Sequence, residues 1–399
     1  MGMNRAWRYR LYPSKVQQQK LNHYLYECKD LWNFLLEHTK MHYKKTRKFP
    51  TRKELYLLTK EKGIFSQVAQ NVAYRLTNSL KRYAAKKKAE KNVGFPRFKQ
   101  IDRMKSFTYP QFGFKLEEKL ELSDIGNITI KKHRSIKGKI KTLTIKKTPS
   151  GKWFAIFTSE IKQVAITKKQ IVAVGIDLGI ERFASLSDGT IIANPRNFKR
   201  VERRLAKIQR QFSKKKKGSK NKRKARIKVA ITYEKLTNRR RDFLHKSSRE
   251  LANNYSLIAI EKLDVTALSK GFLARHVLDC SWAEFSSMLQ YKAEEAGSEV
   301  ILVDPAQTSS NCSGCGLIQK KTLAERWHEC SCGFSMHRDL NAARNILKRA
   351  ISRSIDRPQN SCKYKFLSTA GTVGSNACGE ETSTYYKPNG QVSSRKQEA

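Results

Sequence analysis

The sequence predicts an α/β core that carries a metal-binding ribbon, preceded by an antiparallel β-module that helices interrupt. Three observations point there. Two apolar runs, IVAVGIDLGI from Ile171 and SLIAIEKL from Ser256, have the texture of strands buried on both faces inside an α/β sheet. Cys312, Cys315, Cys330 and Cys332 form two tight pairs shortly before an amphipathic helix, RDLNAARNIL. From Ser106 to Ile161 the pattern has period two, as in ITIKKHRSI and KTLTIKK, with Pro149, Ser150 and Gly151 as a turn.

Composition narrows the function. The 399 residues leave room for two or three domains with their own cores. A net charge of +48, from 82 Lys and Arg against 34 Asp and Glu, calls for a polyanion partner. Because the charge runs along the whole chain, nucleic acid fits better than a membrane surface. No apolar run approaches membrane-spanning length, and the N-terminus has no signal pattern, so a cytoplasmic protein is expected. Eight cysteines, four of them in metal spacing, fit a reducing compartment better than a disulfide framework.

In order, Trp7 to Leu11 reads as a short strand ending at Pro13. Ser14 caps a helix whose apolar face is Leu21, Leu25, Cys28, Trp32 and Leu35. Tyr24, Tyr26 and His38 fall outside or at the edge of that face, where ordinary packing is the commoner use and base stacking the alternative. A second helix carries Val68, Val72, Leu76, Leu80 and Tyr83 and ends in Lys86, Lys87 and Lys88. Gly94 and Pro96 in GFPRFK mark a boundary before the β-module. The strand Trp7–Leu11 completes that module, which makes the helical part an insertion.

Within IVAVGIDLGI, Asp177 shares a face with Ala173 and Gly175. A carboxylate on a buried strand must be paired or bind a cation, because burying it alone is costly; the plainer alternative is that it starts a turn. FASLSDGTIIANP follows as a hairpin with Asp188-Gly189 at its turn. From Lys199 to Arg249 there are 22 Lys or Arg against Glu202, Glu234 and Asp242, a local excess of +19. The apolar spacing there predicts two long helices joined near Gly218. Lys214, Lys215, Lys216, Lys217, Arg239, Arg240 and Arg241 are the expected phosphate contacts, with a solvated face as the bland alternative. Glu261 then sits on the face of Leu257 and Ala259, a helix follows over Trp282 to Ala296, and VILVDP gives a third strand.

The two cysteine pairs suit one tetrahedral zinc. The second pair is C-x-C rather than C-x2-C, so His328 and His337 are possible substitutes for a thiolate that does not reach. Asp339 lies in the first turn of the next helix, where a carboxylate ordinarily compensates the dipole. That helix carries Leu340, Ala343, Ile346 and Leu347 on one face and Arg338, Arg344, Lys348 and Arg349 on the other. Together, Asp177, Glu261 and Asp339 occur in the order Asp–Glu–Asp on β, β and α, the layout of a ribonuclease-H-like nuclease core. Such a core needs carboxylates from several directions to hold two divalent metals. The terminal aspartate favours resolvase-like nucleases over transposases that end in glutamate.

GFPRFK at 94–99, GIDLGI at 175–180, IAIEKL at 258–263, the cysteine ribbon and RDLNAARNI at 338–346 closely resemble the TnpB family. These are transposon-encoded RNA-guided DNA nucleases related to type V CRISPR effectors. The resemblance covers nearly the whole chain. It implies a wedge β-barrel interrupted by a helical recognition module, followed by a RuvC nuclease domain with a zinc-ribbon insert. The implied boundaries are 1–13 for the first wedge strand, 14–105 for the recognition module and 106–170 for the barrel. RuvC then spans 171–305 and 337–351 around the target-binding ribbon at 306–336, with a tail at 352–399. It further implies a guide RNA from the transposon end, recognition of a short flanking motif, and cutting of both strands of double-stranded DNA by one Mg2+-dependent site. Asp177, Glu261 and Asp339 would be its catalytic metal ligands, and the four cysteines would hold one structural zinc. Two departures stand out: the C-x-C pair, and His337 where relatives often have aspartate.

The tail from Ser352 is rich in Ser, Thr, Gly and Asn and has too few apolar residues to fold alone, so disorder is expected. Cys362 and Cys378 there have no metal spacing. Its wording resembles TnpB C-termini, where the coding region can overlap the guide RNA gene. The expected assembly is a monomeric protein in a ribonucleoprotein, acting at the prokaryotic nucleoid. The alternatives are a nuclease-incompetent RNA-guided repressor and a strand-transferring transposase. Loss of an acidic residue would favour the first, and the Asp–Glu–Asp order disfavours the second.

Overall fold

The computed structural model describes residues 2–60, 63–89, 93–162, 172–271, 273–319, 322 and 325–355. The chain divides into two compact units, Met1–Val164 with Val201–Thr237, and Ala165–Arg200 with Asn238–Ala399.

The first unit opens with β1 (Gly2–Tyr12) and three helices, α1 (Lys15–Thr46), α2 (Arg52–Leu57) and α3 (Ser66–Lys88). Six strands follow: β2 (Ser106–Tyr109), β3 (Phe114–Leu116), β4 (Leu120–Leu122), β5 (Gly126–Lys131), β6 (Lys139–Lys147) and β7 (Trp153–Lys162). They form a seven-stranded antiparallel sheet in the order β2-β6-β7-β1-β5-β4-β3. Its end strands β2 and β3 are consecutive in the chain, and the rings of Tyr109 and Phe114 meet 6.3 Å apart, so the sheet nearly closes. β1 is longer than its apolar core implies and lies inside the sheet, between β7 and β5. Its alternation explains both facts. Trp7, Tyr9 and Leu11 are buried, while Arg8 and Arg10 on the other face lie over the Phe154 ring at 3.7 and 5.2 Å.

A capping box starts α1: Gln17 N–H donates to Ser14 Oγ, and Ser14 N–H donates to Gln17 Oε1. All five residues of the predicted apolar face of α1 are buried, and so is Tyr24. The edge placement of Tyr24 is corrected here. Its ring packs on Phe107 and its hydroxyl donates to Asp124, so it belongs to the core that α1 and α3 share with the sheet. Tyr26 is exposed, with Lys29 over its ring.

The second unit contains β8 (Ala173–Leu178), β9 (Arg182–Leu186) and β10 (Ile191–Ala193). Next come α4 (Asn197–Ser213) and α5 (Lys220–Asn254), joined through Gly218 at φ 85°. Residues 201–237 of this hairpin group with the first unit, where Arg226 pairs with Asp102 at 2.6 Å and Lys152 with Glu234 at 3.4 Å. After it lie β11 (Leu257–Glu261), α6 (Val265–Leu268), α7 (Ala274–Cys280), α8 (Trp282–Ala296) and β12 (Glu299–Val303). A small hairpin, β13 (Trp327–Glu329) and β14 (Ser335–His337), leads directly into α9 (Arg338–Ile355). The helix thus includes the first residues of the expected tail; residues 356–399, with Cys362 and Cys378, lie outside the described residues, as does Ile171.

The five-stranded sheet has the order β10-β9-β8-β11-β12, with β8, β11 and β12 parallel. One face buries Val174, Ile176, Ile258 and Ile260 against Leu244 and Leu251 of α5 and Phe285 and Leu289 of α8. The other face buries Ala173, Leu257, Ala259 and Val303 against Ile346, Leu347 and Ala350 of α9. Both faces are covered, as the continuous apolar runs require. Among the described residues no helix is long and apolar enough to cross a membrane.

Gly175 sets how closely α9 approaches. A Cβ at Gly175 would lie 2.1 Å from the Ala343 carbonyl oxygen and 2.7 Å from Leu347 N, both backbone atoms. Gly175→Ala must therefore push the helix off the sheet, at a cost of about 3 kcal/mol. Urea unfolding measures this, with Gly94→Ala, where a Cβ meets nothing within 4 Å, as a control expected to stay near native stability.

Candidate active site and cysteine ribbon

Parallel pairing brings the first two carboxylates together. The register Leu257↔Ala173 through Ile260↔Ile176 places Glu261, one residue on, beside Asp177. Adjacent strands are about 4.8 Å apart, so two acids at the same level of one face repel unless something positive joins them. The close packing of α9 on the Gly175 face carries the third acid, Asp339, to the same end of the sheet. Asp177 senses both. Burial first, then the charges of Glu261 and Asp339, push its carboxyl up to about 8, and Arg338 offsets only part of this.

Glu261 is also raised, by burial, with the Thr308 hydroxyl and the Arg349 charge acting against it. Thr308 donates to Glu261 Oε1 at 2.5 Å. Asp339 stands 3.8 Å from His337 Nδ1, which accepts the Asp339 backbone N–H at 3.3 Å. The three acids come from three elements, and the charges of Glu261 and Asp339 both bear on Asp177. That donor set fits hard divalent cations, which oxygen ligands hold.

The cysteines converge more tightly. The four Sγ atoms of Cys312, Cys315, Cys330 and Cys332 all lie within 4.8 Å of one another. Among the described residues they are the one group of three or more Cys, His, Asp or Glu ligand atoms gathered so closely. Cys312 and Cys332 are 3.8 Å apart and Cys315 and Cys330 3.6 Å. A tetrahedron with zinc–sulfur bonds of about 2.3 Å has sulfurs about 3.8 Å apart, so the cluster fits one structural zinc. The shortened second pair therefore reaches, and neither His328 nor His337 belongs to the group. Gly333 at φ 81° makes the turn that lets Cys330 and Cys332 point the same way. A backbone N–H from Cys332 lowers the Cys330 thiol, while contacts with Cys315 and Cys330 raise Cys332, so four thiolates together call for a cation among them.

Two asparagines that the sequence reading passed over tie this ribbon to α9. Asn341, fully buried, accepts the Ser313 N–H at 2.8 Å and donates to the Asn311 carbonyl at 2.7 Å. Asn345 donates to the carbonyls of Thr308 and Asn311 at 2.9 and 2.7 Å. Their signal was available: two Asn at i and i+4 on the buried side of a helix whose other residues there are Ala, Ile and Leu.

The seven basic residues singled out from sequence are not alike. Lys214 to Lys217 are exposed in the α4–α5 turn, and Arg239 is exposed on α5. Arg240 is half-buried and pairs with Asp279 at 3.0 Å, and Arg241 pairs with Glu284 at 2.7 Å. Those two arginines hold α5 to α7 and α8.

Three family models match the chain: a helix-turn-helix domain at 1–48, "Probable transposase" of the OrfB/IS605 type at 157–271, and a Cas12f1-like TNB domain at 282–346. A Streptomyces pristinaespiralis protein described as "Putative RNA-guided DNA endonuclease" is 32% identical over 370 residues, covering 88% of this chain and 90% of its own. The chain belongs to the TnpB (OrfB/IS605) family. A second TnpB relative, InsQ of Escherichia coli K12 with the same description, is 30% identical over 368 residues, 86% of this chain and 91% of that one. In this TnpB chain the residues matched as helix-turn-helix fold as β1 and one long helix, α1. Among solved structures, the Cas12f1–sgRNA–target DNA complex matches with a TM-score of 0.58 at 12% identity, covering 86% of this chain and 98% of that one. That likeness is one of fold.

Proposed function

We propose that this chain is an RNA-guided endonuclease that cuts double-stranded DNA with a single site built from Asp177, Glu261 and Asp339. The observation that carries the reading is their convergence on one end of the β8–β11 sheet, where burial and then the charges of Glu261 and Asp339 raise Asp177 to about 8. Bound at the three carboxylates, two Mg2+ ions would activate the attacking water and stabilise the leaving oxygen. The chain's part is to hold the ligands: Asp177 and Glu261 on rigid neighbouring strands, and Asp339 on the first turn of a helix locked to them. The names of the relatives support the RNA guide and the DNA substrate. All three acids are present, which favours cutting over binding alone.

On this reading residues 2–12 and 106–162 form the wedge, α1 to α3 the recognition module, and the cysteine ribbon a target-binding insert of RuvC. The guide comes from the transposon end, and a short flanking motif licenses cutting. Sequencing the RNA that co-purifies with the protein tests the reading most directly. A discrete RNA species, with Mg2+-dependent cutting of a duplex matching its guide and none of a mismatched one, is the expected result. Protein that purifies free of RNA and cuts without a guide overturns it.

The exposed lysines of the α4–α5 turn supply a second test. If Lys214 to Lys217 meet phosphates, affinity falls with salt by roughly 0.7–0.9 log units per contact for each tenfold rise. Changing all four to Gln should flatten the slope and weaken every sequence alike, leaving base-pairing specificity intact. An unchanged slope in the quadruple variant means that the turn is merely solvated. Arg240→Gln, by contrast, should lower stability through its lost Asp279 partner more than it alters the slope.

A further inference from the structure

Glu261 sits at the end of a strand with one hydroxyl bound to it. Thr308, 4% exposed, donates that bond at 2.5 Å. The Thr308 carbonyl is in turn held by Asn345, whose Nδ2 also reaches the Asn311 carbonyl. Asn341 grips the same Asn311 carbonyl and the N–H of Ser313, next to Cys312. A run of buried and part-buried hydrogen bonds, continued through Thr308 itself, therefore leads from the first cysteine pair, through two asparagines of α9, to one oxygen of Glu261.

We propose that Thr308 is a positioning residue for Glu261, and that Asn345 and Asn341 make its placement depend on the folded base of the cysteine ribbon. The inference rests on the reading of Glu261 as a metal ligand. Glu261 is longer than the two aspartates, and its carboxylate swings about its own torsions unless something fixes it. A hydroxyl that occupies Oε1 orients the group and leaves Oε2 for a cation. Hydrogen-bond partners of metal ligands change metal affinity by about 10–100-fold when removed.

The test uses the full-length protein loaded with its guide RNA. Thr308→Val keeps the shape and removes the hydroxyl, whereas Thr308→Ser keeps the hydroxyl. Two quantities are read: the Mg2+ concentration giving half-maximal cutting, and Mn2+ binding without target, from the loss of the free-ion electron paramagnetic resonance signal. Thr308→Val is expected to weaken both about tenfold, with cutting at saturating Mg2+ returning to near the native rate. Thr308→Ser should stay within about twofold of native in both. Asn345→Ala keeps the hydroxyl and frees its mount, and should shift both in the same direction by a smaller factor. Combined with Thr308→Val it should add little, because the two act through one path.

A residue that only supports the fold would lower the rate at every Mg2+ concentration and leave Mn2+ binding unchanged; that result overturns the proposal. So does native Mg2+ dependence in Thr308→Val. The parallel variant Glu261→Gln separates the two levels. If it fails to cut while Thr308→Val behaves as native, the positioning role alone falls; if it cuts at the native rate, the metal-ligand reading falls with it.

Discussion

Asp177→Asn should abolish DNA cutting, by at least about a thousandfold, while the metal-free protein becomes more stable. Both effects come from one side chain. Burial and the charges of Glu261 and Asp339 raise Asp177 to about 8 in the folded chain, against an ordinary value near 4 when unfolded. The folded form therefore binds the Asp177 proton when the unfolded chain has already lost it. Stability from this group is fully present below about pH 4 and is lost progressively as pH rises towards 8. Asparagine has nothing to ionise, so the variant escapes that loss. The gain at pH 7.5 is at most on the order of 5 kcal/mol and shows as a raised melting temperature. Millimolar Mg2+ should narrow the gap by stabilising the native protein and not the variant. Thermal melts with and without Mg2+ across pH 5–8, beside a cutting assay, measure both halves. A variant that cuts normally, or one no more stable than native at pH 7.5 without metal, refutes the assignment.

Replacing Cys315 and Cys332 by serine should have the next largest effect. Among the described residues the ribbon has two three-residue strands, β13 and β14, and little apolar surface with which to stand alone. Structural zinc in such modules contributes about 10–16 kcal/mol of apparent binding energy. The native protein should carry one zinc per chain and the double variant less than about a tenth of that. Hydrogen exchange over residues 311–337 should then approach that of an unfolded peptide, while the seven-stranded sheet keeps its protection. A zinc-free variant with native protection in the ribbon would mean that the cysteines are ordinary interior residues.

The parts most legible in the sequence were those that chemistry restricts to few residue types. Asp177 and Glu261 announced themselves because carboxylates seldom occur in runs such as VAVGIDL and LIAIEKL, and four cysteines in a Gly-rich loop have few other uses. Periodicity gave both helical faces, and continuous apolar runs gave the three parallel strands. What they missed depended on partners far along the chain. Tyr24 looks peripheral on a helical wheel, but Phe107 and Asp124 turn its position into core. β1 reads as a short strand because its arginines interrupt the apolar run, yet stacking over Phe154 lets them cover an interior strand. Arg240 and Arg241 belong to a basic block by composition, but Asp279 and Glu284 claim them individually. The C-x-C spacing left the ribbon's geometry open, since only the backbone at Gly333 decides where the second sulfur points.

The seating of α9 against Gly175 also has a consequence for synthesis. Asp177 and Glu261 lie on strands that leave the ribosome first, but Asp339 follows 78 residues after Glu261, on the helix that closes that face of the sheet. Domains take shape from the N-terminal side as the chain grows. Until residues 338–355 have cleared the exit tunnel, the growing chain has two of its three acids and an uncovered apolar sheet. On the proposed reading of the three acids, a nascent chain therefore lacks its third metal ligand until α9 docks, so translation itself delays the moment at which it can cut.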